Sequence, residues 1–242
     1  MDDWDYKPAA DLGLRPTERL KSLRRESGLA GHASQSCWRM IVATYLRLYH
    51  RLKISGRENL PKEAPFVLVA NHSSHLDALI LASAVPWRLR QSVFPIAAGD
   101  VFFETPAAAV FSAMMLNALP MWRRRCGSHA MQGLRDRLVG EPGIYILFPE
   151  GTRSRDRQIG RFKPGIGMIV AGTGVSVIPC HLAGAHGAFP PGARLPRPVA
   201  IQLQVGTPCT FEELPNERVA WQEIACRLQA AVASLGGGKV EA

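Results

Sequence analysis

The sequence predicts an α/β fold: a mixed, largely parallel sheet flanked by helices and preceded by an N-terminal amphipathic helical segment. From about residue 54 onward, short apolar runs typical of strands alternate with segments of helical periodicity, and this order is typical of parallel sheets. Before that point, apolar residues recur at helical spacing and basic residues stand among them. We therefore divide the chain into an N-terminal helical segment, residues 1–53, and one α/β domain, residues 54–242.

The composition limits the classes of partner. Of the 242 residues, 47% are hydrophobic and 20% are charged, which is enough apolar chain for one sizeable core. The net charge of +9 predicts anionic partners such as phosphorylated metabolites, anionic lipid or nucleic acid. Nucleic acid is disfavoured because aromatic residues make up only 7% of the chain and no nucleic-acid-binding motif of known spacing occurs.

Cysteine usage and the apolar runs bear on cellular location. The five cysteines are odd in number, irregularly spaced and form no C-x-x-C pair, a pattern typical of reduced, cytosolic proteins. The first residues are acidic and lack the apolar stretch of a secretory signal. Apolar runs are all shorter than the roughly 18 residues that a transmembrane helix needs.

The N-terminal helix, predicted between residues 34 and 53, has two open interpretations. Its apolar side carries Trp38 and Tyr45, and its flanks carry Arg39, Arg47 and Arg51. A basic amphipathic helix of this kind can lie in a membrane interface. It can equally pack on the core of the domain. The basic flanks favour the membrane.

The other elements follow in chain order. Strands are predicted at residues 54–56, 66–70, 93–97, 119–122, 143–148, 175–180 and 199–205. Helices are predicted at residues 78–85, 107–116, 129–139, 166–171 and 217–234, and the Pro-rich stretch 189–198 is predicted to be a surface loop. The apolar segment 107–116 is either a core helix or part of an apolar ligand groove.

A polar cluster connects the predicted strand at 66–70 to the predicted helix at 78–85. Its sequence is Asn71-His72-Ser73-Ser74-His75-Leu76-Asp77. The carboxyl end of a strand is where α/β proteins bind ligands. His72 and Asp77 are five residues apart, which is about 140° around an ideal helix. The two side chains can therefore meet only if His72 lies on the loop and Asp77 in the first helical turn, for which Ser73 and Ser74 are candidate N-caps.

The chemistry of this cluster has three interpretations. A carboxylate bonded to one imidazole nitrogen fixes the tautomer and makes the other nitrogen a general base. Alternatively, His72 and Asp77 only cap a turn and a helix. The third interpretation is a metal site formed by His72, His75 and Asp77, but such sites normally need further histidine ligands, and the remaining histidines show no ligand spacing.

A second polar motif follows the strand at 143–148 and reads Phe148-Pro149-Glu150-Gly151-Thr152-Arg153-Ser154. Gly151 allows a sharp turn, and Arg153 offers a planar fork of donors suited to a phosphate. Thr152 and Ser154 can add hydroxyl donors. Taken alone, the motif is equally compatible with a solvated basic turn.

Together these motifs resemble the glycerophospholipid acyltransferase family, which includes the 1-acylglycerol-3-phosphate acyltransferases. The resemblance also rests on Phe162-Lys163-x-Gly165 and Val177-Ile178-Pro179, and it extends over roughly residues 55 to 210. It implies a glycerolipid acyltransferase-like fold and the transfer of a fatty acyl group from an acyl thioester to the free hydroxyl of 1-acylglycerol-3-phosphate, giving phosphatidate in phospholipid biosynthesis. It also implies that His72 is the base and Asp77 orients it, and that the acceptor is bound by Glu150, Gly151, Thr152, Arg153 and Arg123.

The resemblance further implies the partners and the location. The donor is acyl-CoA or acyl carrier protein as a co-substrate, and no cofactor or metal is expected. The other partners are a lysophospholipid acceptor and a membrane surface, without nucleic acid, and the chain is expected at the cytoplasmic face of a membrane as a peripheral or monotopic protein.

One family feature is missing. Many phosphatidate-forming members carry a lysine just after the third strand, and residues 97–103 contain none. Two alternatives therefore stay open: acyl transfer to another lyso-lipid or phosphorylated acceptor, and an inactive module that binds anionic lipid. The presence of both His72 and Asp77 favours an enzyme, because lipid binding needs neither.

Overall fold

The computed structural model describes residues 13–15, 18, 22, 29–98, 104–121 and 128–237. At the centre of this part of the chain, seven strands form one sheet. They are β1 Lys53–Ser55, β2 Phe66–Ala70, β3 Val93–Ala98, β4 Leu119–Met121, β5 Ile144–Leu147, β6 Ser176–Ala183 and β7 Gln202–Val205. Their order is β1-β7-β6-β2-β5-β3-β4, and neighbours are parallel except for β6 and β7. The predicted mixed, largely parallel sheet is confirmed.

Helices cover both faces of this sheet. The α-helices are α1 Leu29–Leu48, α2 Asp77–Ala84, α3 Pro106–Met114, α4 Ser128–Gly140, α5 Gly165–Val170, α6 Ala185–Ala188 and α7 Arg218–Leu235, and short 3₁₀ helices lie at Arg57–Asn59 and Trp87–Ser92. The fold therefore follows the predicted alternation of strands and helices closely. Element ends differ from the prediction by a few residues.

Strand β2 divides the core in two. Phe66 and Leu68 point to one face of the sheet, where they pack with α1 and α2. Val67 and Val69 point to the other face, where they pack with α4, α5 and α7. Since every residue of β2 is buried, the strand appears in the sequence as an unbroken apolar run. This rigid central strand carries the polar cluster at its carboxyl end.

One helix end differs from the sequence-based expectation, and one strand direction was not predicted. Helix α1 ends at Leu48, before the predicted residue 53, because Arg51 adopts a left-handed conformation with φ of 46° and Lys53 begins β1. Strand β7 runs antiparallel to β6. The connection between them contains only the four-residue α6 and no long crossover helix, so the chain returns alongside β6 in the opposite direction.

The structure of helix α1 is compatible with both predicted roles, packing on the core and contact with a membrane. Val42 and Leu46 are buried in the core, whereas Met40, Ile41 and Leu48 on the opposite side are exposed. The helix thus packs on the domain and also presents an apolar stripe. Among the described residues, no helix combines the length and the apolar character needed to cross a membrane.

Candidate active site

The candidate site lies where β2, β5 and β6 end side by side. Asn71, the first residue after β2, is buried, and its amide pairs with the main chain of Leu182 in β6. The Leu182 N–H donates to Oδ1 at 2.8 Å, and Nδ2 donates to the Leu182 carbonyl at 3.1 Å. The Asn71 side chain therefore imitates a strand partner and fixes the start of the loop against the sheet.

His72 and Asp77 form the predicted pair. Nδ1 of His72 lies 2.8 Å from Oδ2 of Asp77, with His72 on the loop and Asp77 as the first residue of α2. The Asp77 side chain is fully buried, and the His72 side chain is 22% exposed. The predicted arrangement of loop histidine and helical aspartate is confirmed.

Asp77 also organises the loop between them. Its Oδ2 accepts the backbone N–H groups of Ser73 at 2.7 Å and of Ser74 at 2.8 Å. The prediction that Ser73 or Ser74 is the N-cap of α2 is wrong, because the N-cap residue is Leu76. Ser74 Oγ accepts the Leu76 N–H at 3.2 Å, just before the helix begins. The Asp77 carboxylate in the helix instead accepts the backbone N–H groups of the loop.

The His72 ring is held in one orientation. It stacks on Phe148, with ring centroids 4.1 Å apart and planes 16° from parallel. The carboxylate acceptor at Nδ1 favours the tautomer with the proton on that nitrogen. Nε2 then carries a lone pair, and it has no hydrogen-bond partner in the described part of the chain. A ring with this arrangement can accept a proton at Nε2.

The second motif wraps over the backbone of His72. Glu150 accepts the His72 N–H on Oε1 at 2.7 Å and the Gly160 N–H on Oε2 at 3.1 Å. The Ser154 N–H donates to the His72 carbonyl at 2.8 Å. Glu150 is buried, and burial raises the pKa of its carboxyl to about 7 despite these two hydrogen bonds. Glu150 therefore positions the His72 loop, a role that the sequence did not predict, and its acceptor-binding role stays a prediction.

The other residues of this motif lie around the same opening. Gly151 has φ of +74°, a left-handed conformation that favours glycine. A Cβ there would meet only the flexible end of the Lys163 side chain. Thr152 is exposed. Nη1 of Arg153 lies 2.6 Å from Nδ1 of His75, which places the guanidinium beside the loop of the His72–Asp77 pair. Arg123, also predicted to bind the acceptor, lies outside the described residues.

The histidines near the opening have partners other than a metal. His72 is bonded to Asp77, and His75 faces Arg153. In the part of the chain that the structure describes, no three His, Cys, Asp or Glu side chains are grouped so that they could hold a metal ion.

Comparisons with known proteins identify the family of the chain. The model of the family described as Acyltransferase matches residues 51–183, more than half of the chain. The chain belongs to the Acyltransferase family. The matched region begins just before β1 and ends with β6, so it contains the His72 loop, Asp77 and the Glu150–Ser154 motif.

Individual relatives carry a more specific name. A 1-acyl-sn-glycerol-3-phosphate acyltransferase of Chlamydomonas reinhardtii is 31% identical over 215 residues, which are 86% of this chain and 59% of that protein. A chloroplastic 1-acyl-sn-glycerol-3-phosphate acyltransferase of Brassica napus is 34% identical over 146 residues, which are 60% of this chain and 41% of that protein. The matches thus span about half the length of these relatives.

A solved structure shares the fold. The crystal structure of the 1-acyl-sn-glycerophosphate acyltransferase of Thermotoga maritima matches with a TM-score of 0.66 and 23% sequence identity. The match covers 87% of this chain and 80% of that one. The predicted glycerolipid acyltransferase-like fold is confirmed.

The buried carboxyl of Glu150 leads to a prediction about stability and pH. Its folded-state pKa of about 7 lies above the unfolded value, so this group binds a proton on folding between roughly pH 4.5 and 7. Its contribution to the free energy of unfolding is therefore complete below that range and is lost as the pH rises through about 7.

Glu150→Gln removes this titration. We expect urea unfolding to show that the free energy of unfolding of wild type falls, relative to that of Glu150→Gln, as the pH rises from about 4.5 to 7. Glu63→Gln is the matched control, because Glu63 is an exposed glutamate in a different loop. Parallel curves for wild type and Glu150→Gln would contradict the assignment.

Proposed function

We propose that this chain transfers a fatty acyl group from an acyl thioester, acyl-CoA or acyl carrier protein, to the free hydroxyl of 1-acylglycerol-3-phosphate. The product is phosphatidate, and the reaction belongs to phospholipid biosynthesis. The observation that carries the proposal is the bond between His72 Nδ1 and Asp77 Oδ2, which leaves Nε2 free beside the loop that bears Arg153. The names of the relatives support this acceptor.

The proposed reaction is a direct transfer. Nε2 of His72 removes the proton from the acceptor hydroxyl while that oxygen attacks the thioester carbonyl. Asp77 stabilises the imidazolium that results. The tetrahedral intermediate then collapses, the carbon–sulfur bond breaks, and the proton on Nε2 passes to the departing sulfur. No acyl-enzyme is needed.

Arg153 is suited to hold the acceptor's phosphate. Its guanidinium is half-buried and forms no salt bridge with a carboxylate of the described residues, so its charge is available to a ligand. A planar guanidinium binds a phosphate through two parallel hydrogen bonds. Arg123 is proposed as a second contact on the strength of the family resemblance.

A narrow apolar groove is proposed to take the acyl chain; its cavity volume is about 30 Å³, so its side chains must move apart to admit the chain. It runs along α2 from Ala78 and Leu79, which directly follow Asp77, to Ser83. Met115 and Leu116, at the end of the segment predicted to line such a groove, lie in its wall. The remaining lining residues come from α1, α2, β3 and the 3₁₀ helix before β3: Trp38, Arg39, Val42, Ala82, Arg90, Val93 and Pro95.

The exposed apolar side of α1 is proposed to rest on the cytoplasmic face of an anionic membrane, which makes the protein peripheral or monotopic. Met40 and Ile41 are 59% and 57% exposed. Helix α3 adds the exposed Phe111, whose ring meets Trp38 of α1 edge-on with centroids 5.7 Å apart. The net charge of +9 attracts anionic lipid to this surface.

Two other functions fit less well. The same chemistry on another lyso-lipid stays open because residues 97–103 contain no lysine. A binding module without activity is disfavoured, because the alignment of His72, Asp77 and Phe148 serves a proton transfer and has no use in lipid binding.

The first test of the proposal is acyl transfer by purified protein. We expect transfer from labelled acyl-CoA to lysophosphatidate, and much less to monoacylglycerol, which lacks the phosphate. His72→Ala and Asp77→Asn are expected to lower kcat by about 10²–10⁴-fold, with circular dichroism unchanged for His72→Ala because the residue lies on a loop. Equal use of both acceptors, or near-normal turnover by His72→Ala, would show that the proposal is wrong.

The second test is membrane binding. The double substitution Met40→Ser and Ile41→Ser removes apolar area that we expect to be buried in lipid, so vesicle affinity should fall by roughly tenfold or more. Val219→Ser is the matched control, because Val219 is 72% exposed on α7. Sedimentation with vesicles containing anionic phospholipid measures both. If the double variant binds as tightly as the control, the stripe on α1 is not the membrane contact.

A further inference from the structure

We propose that His75 is a second ligand of the acceptor's phosphate and takes up a proton as that phosphate binds beside Arg153. The inference rests on the proposed function, since it names a further recognition residue for the same acceptor. It assigns a task to the second histidine of the H-x-x-H-x-D stretch, which the His72–Asp77 pair leaves unused.

The position of His75 is fixed by the neighbouring loop. Its backbone N–H donates to the Phe189 carbonyl at 3.2 Å, and its ring lies on the Phe189 ring with centroids 4.8 Å apart. Ser74 reinforces this attachment, since its Oγ donates to the same carbonyl at 2.9 Å. The imidazole is therefore held at the opening, with the Arg153 guanidinium 2.6 Å from Nδ1. A phosphate bound by Arg153 would lie within reach of this ring.

The charges around His75 favour a neutral ring when the site is empty. Burial lowers its pKa, and the positive charge of Arg153 lowers it further, as does His72 whenever that ring carries a proton. Asp77 acts in the opposite direction, but its carboxylate is buried and bonded to His72, Ser73 and Ser74. Nη1 of Arg153 lies across both ring nitrogens, 2.6 Å from Nδ1 and 2.5 Å from Nε2, and a neutral imidazole has a lone pair on one of them that can accept its N–H. In the empty site the ring thus holds Arg153 in place.

A bound phosphomonoester reverses this balance. It brings up to two negative charges next to both side chains, and a nearby negative charge favours the protonated imidazole. The protonated ring then donates to a phosphate oxygen in a charge-assisted bond. His75 would thereby supply a second cation to the phosphate in a chain whose residues 97–103 contain no lysine.

A histidine differs from a lysine in the dependence of binding on pH. Proton uptake on binding strengthens binding as the pH falls through the range between the pKa of free His75 and its higher value in the complex. KM for lysophosphatidate should therefore rise with pH, and part of this rise should disappear when His75 is replaced. Second ionisation of the phosphate occurs near pH 6, but it affects wild type and variants alike and cancels in their ratio.

The experiment compares wild type, His75→Gln and His75→Lys in acyl transfer to lysophosphatidate from about pH 5.5 to 8. At the acid end, His75→Gln should raise KM for the acceptor roughly tenfold, with kcat and KM for the thioester little changed. The ratio of its KM to that of wild type should shrink as the pH rises. His75→Lys should keep KM low throughout. Arg155→Gln, which removes an exposed cation from the Arg153 loop, should keep the wild-type pH dependence.

Calorimetry gives a readout that does not depend on turnover. Binding of a short-chain lysophosphatidate near pH 6.5 should take up more protons in wild type than in His75→Gln, as measured from the binding enthalpy in buffers of different ionisation enthalpy. Equal proton uptake and equal KM profiles in the two proteins would overturn the role of His75. A His75→Lys variant as impaired as His75→Gln would also overturn it, since the ring would then only position Arg153. Failure of wild type to acylate lysophosphatidate at all would instead refute the proposed function.

Discussion

The site depends on one buried carboxylate oxygen. Oδ2 of Asp77 accepts the Nδ1–H of His72 and the backbone N–H groups of Ser73 and Ser74, all within 2.7–2.8 Å. These donors offset the cost of burying a charge at the start of α2, where the helix dipole also favours an anion. The same three bonds close the loop and select the imidazole tautomer. Loss of the carboxylate would therefore disturb geometry and chemistry together.

A second set of contacts ties this loop to the sheet and to the Arg153 segment. The Asn71 amide pairs with the main chain of β6. Glu150 accepts the backbone N–H of His72, and the Ser154 N–H donates to the His72 carbonyl. Each contact joins residues in or just after neighbouring strands of the sheet, β2, β5 and β6. The order of these strands thus brings the proposed base and the proposed phosphate ligand to one opening.

Local patterns predicted the parts of the site that depend on local geometry. The five-residue separation of His72 and Asp77 required a loop followed by a helix, and the unbroken apolar run of β2 predicted a strand. The helix cap was predicted wrongly, because propensity identifies serine as a capping residue but cannot show that a carboxylate inside the helix has already satisfied the loop.

Contacts between distant residues could not be predicted in the same way. Glu150 and His72 are 78 positions apart, as are His75 and Arg153, and Asn71 and Leu182 are 111 apart. The antiparallel direction of β7 likewise follows from a connection that lacks a long crossover helix. No periodicity in the sequence encodes such pairings.

The most direct test of the account is the protonation state of the two ring nitrogens of His72. Nitrogen NMR of isotope-labelled protein at neutral pH, with the signals assigned by comparison with His72→Gln, reports it without substrate or turnover. For the neutral form of the ring, the account predicts the proton on Nδ1 and a bare Nε2, and loss of this single tautomer in Asp77→Asn. A neutral ring with the proton on Nε2 in the wild-type protein would contradict it, because that nitrogen could not then accept the acceptor's proton.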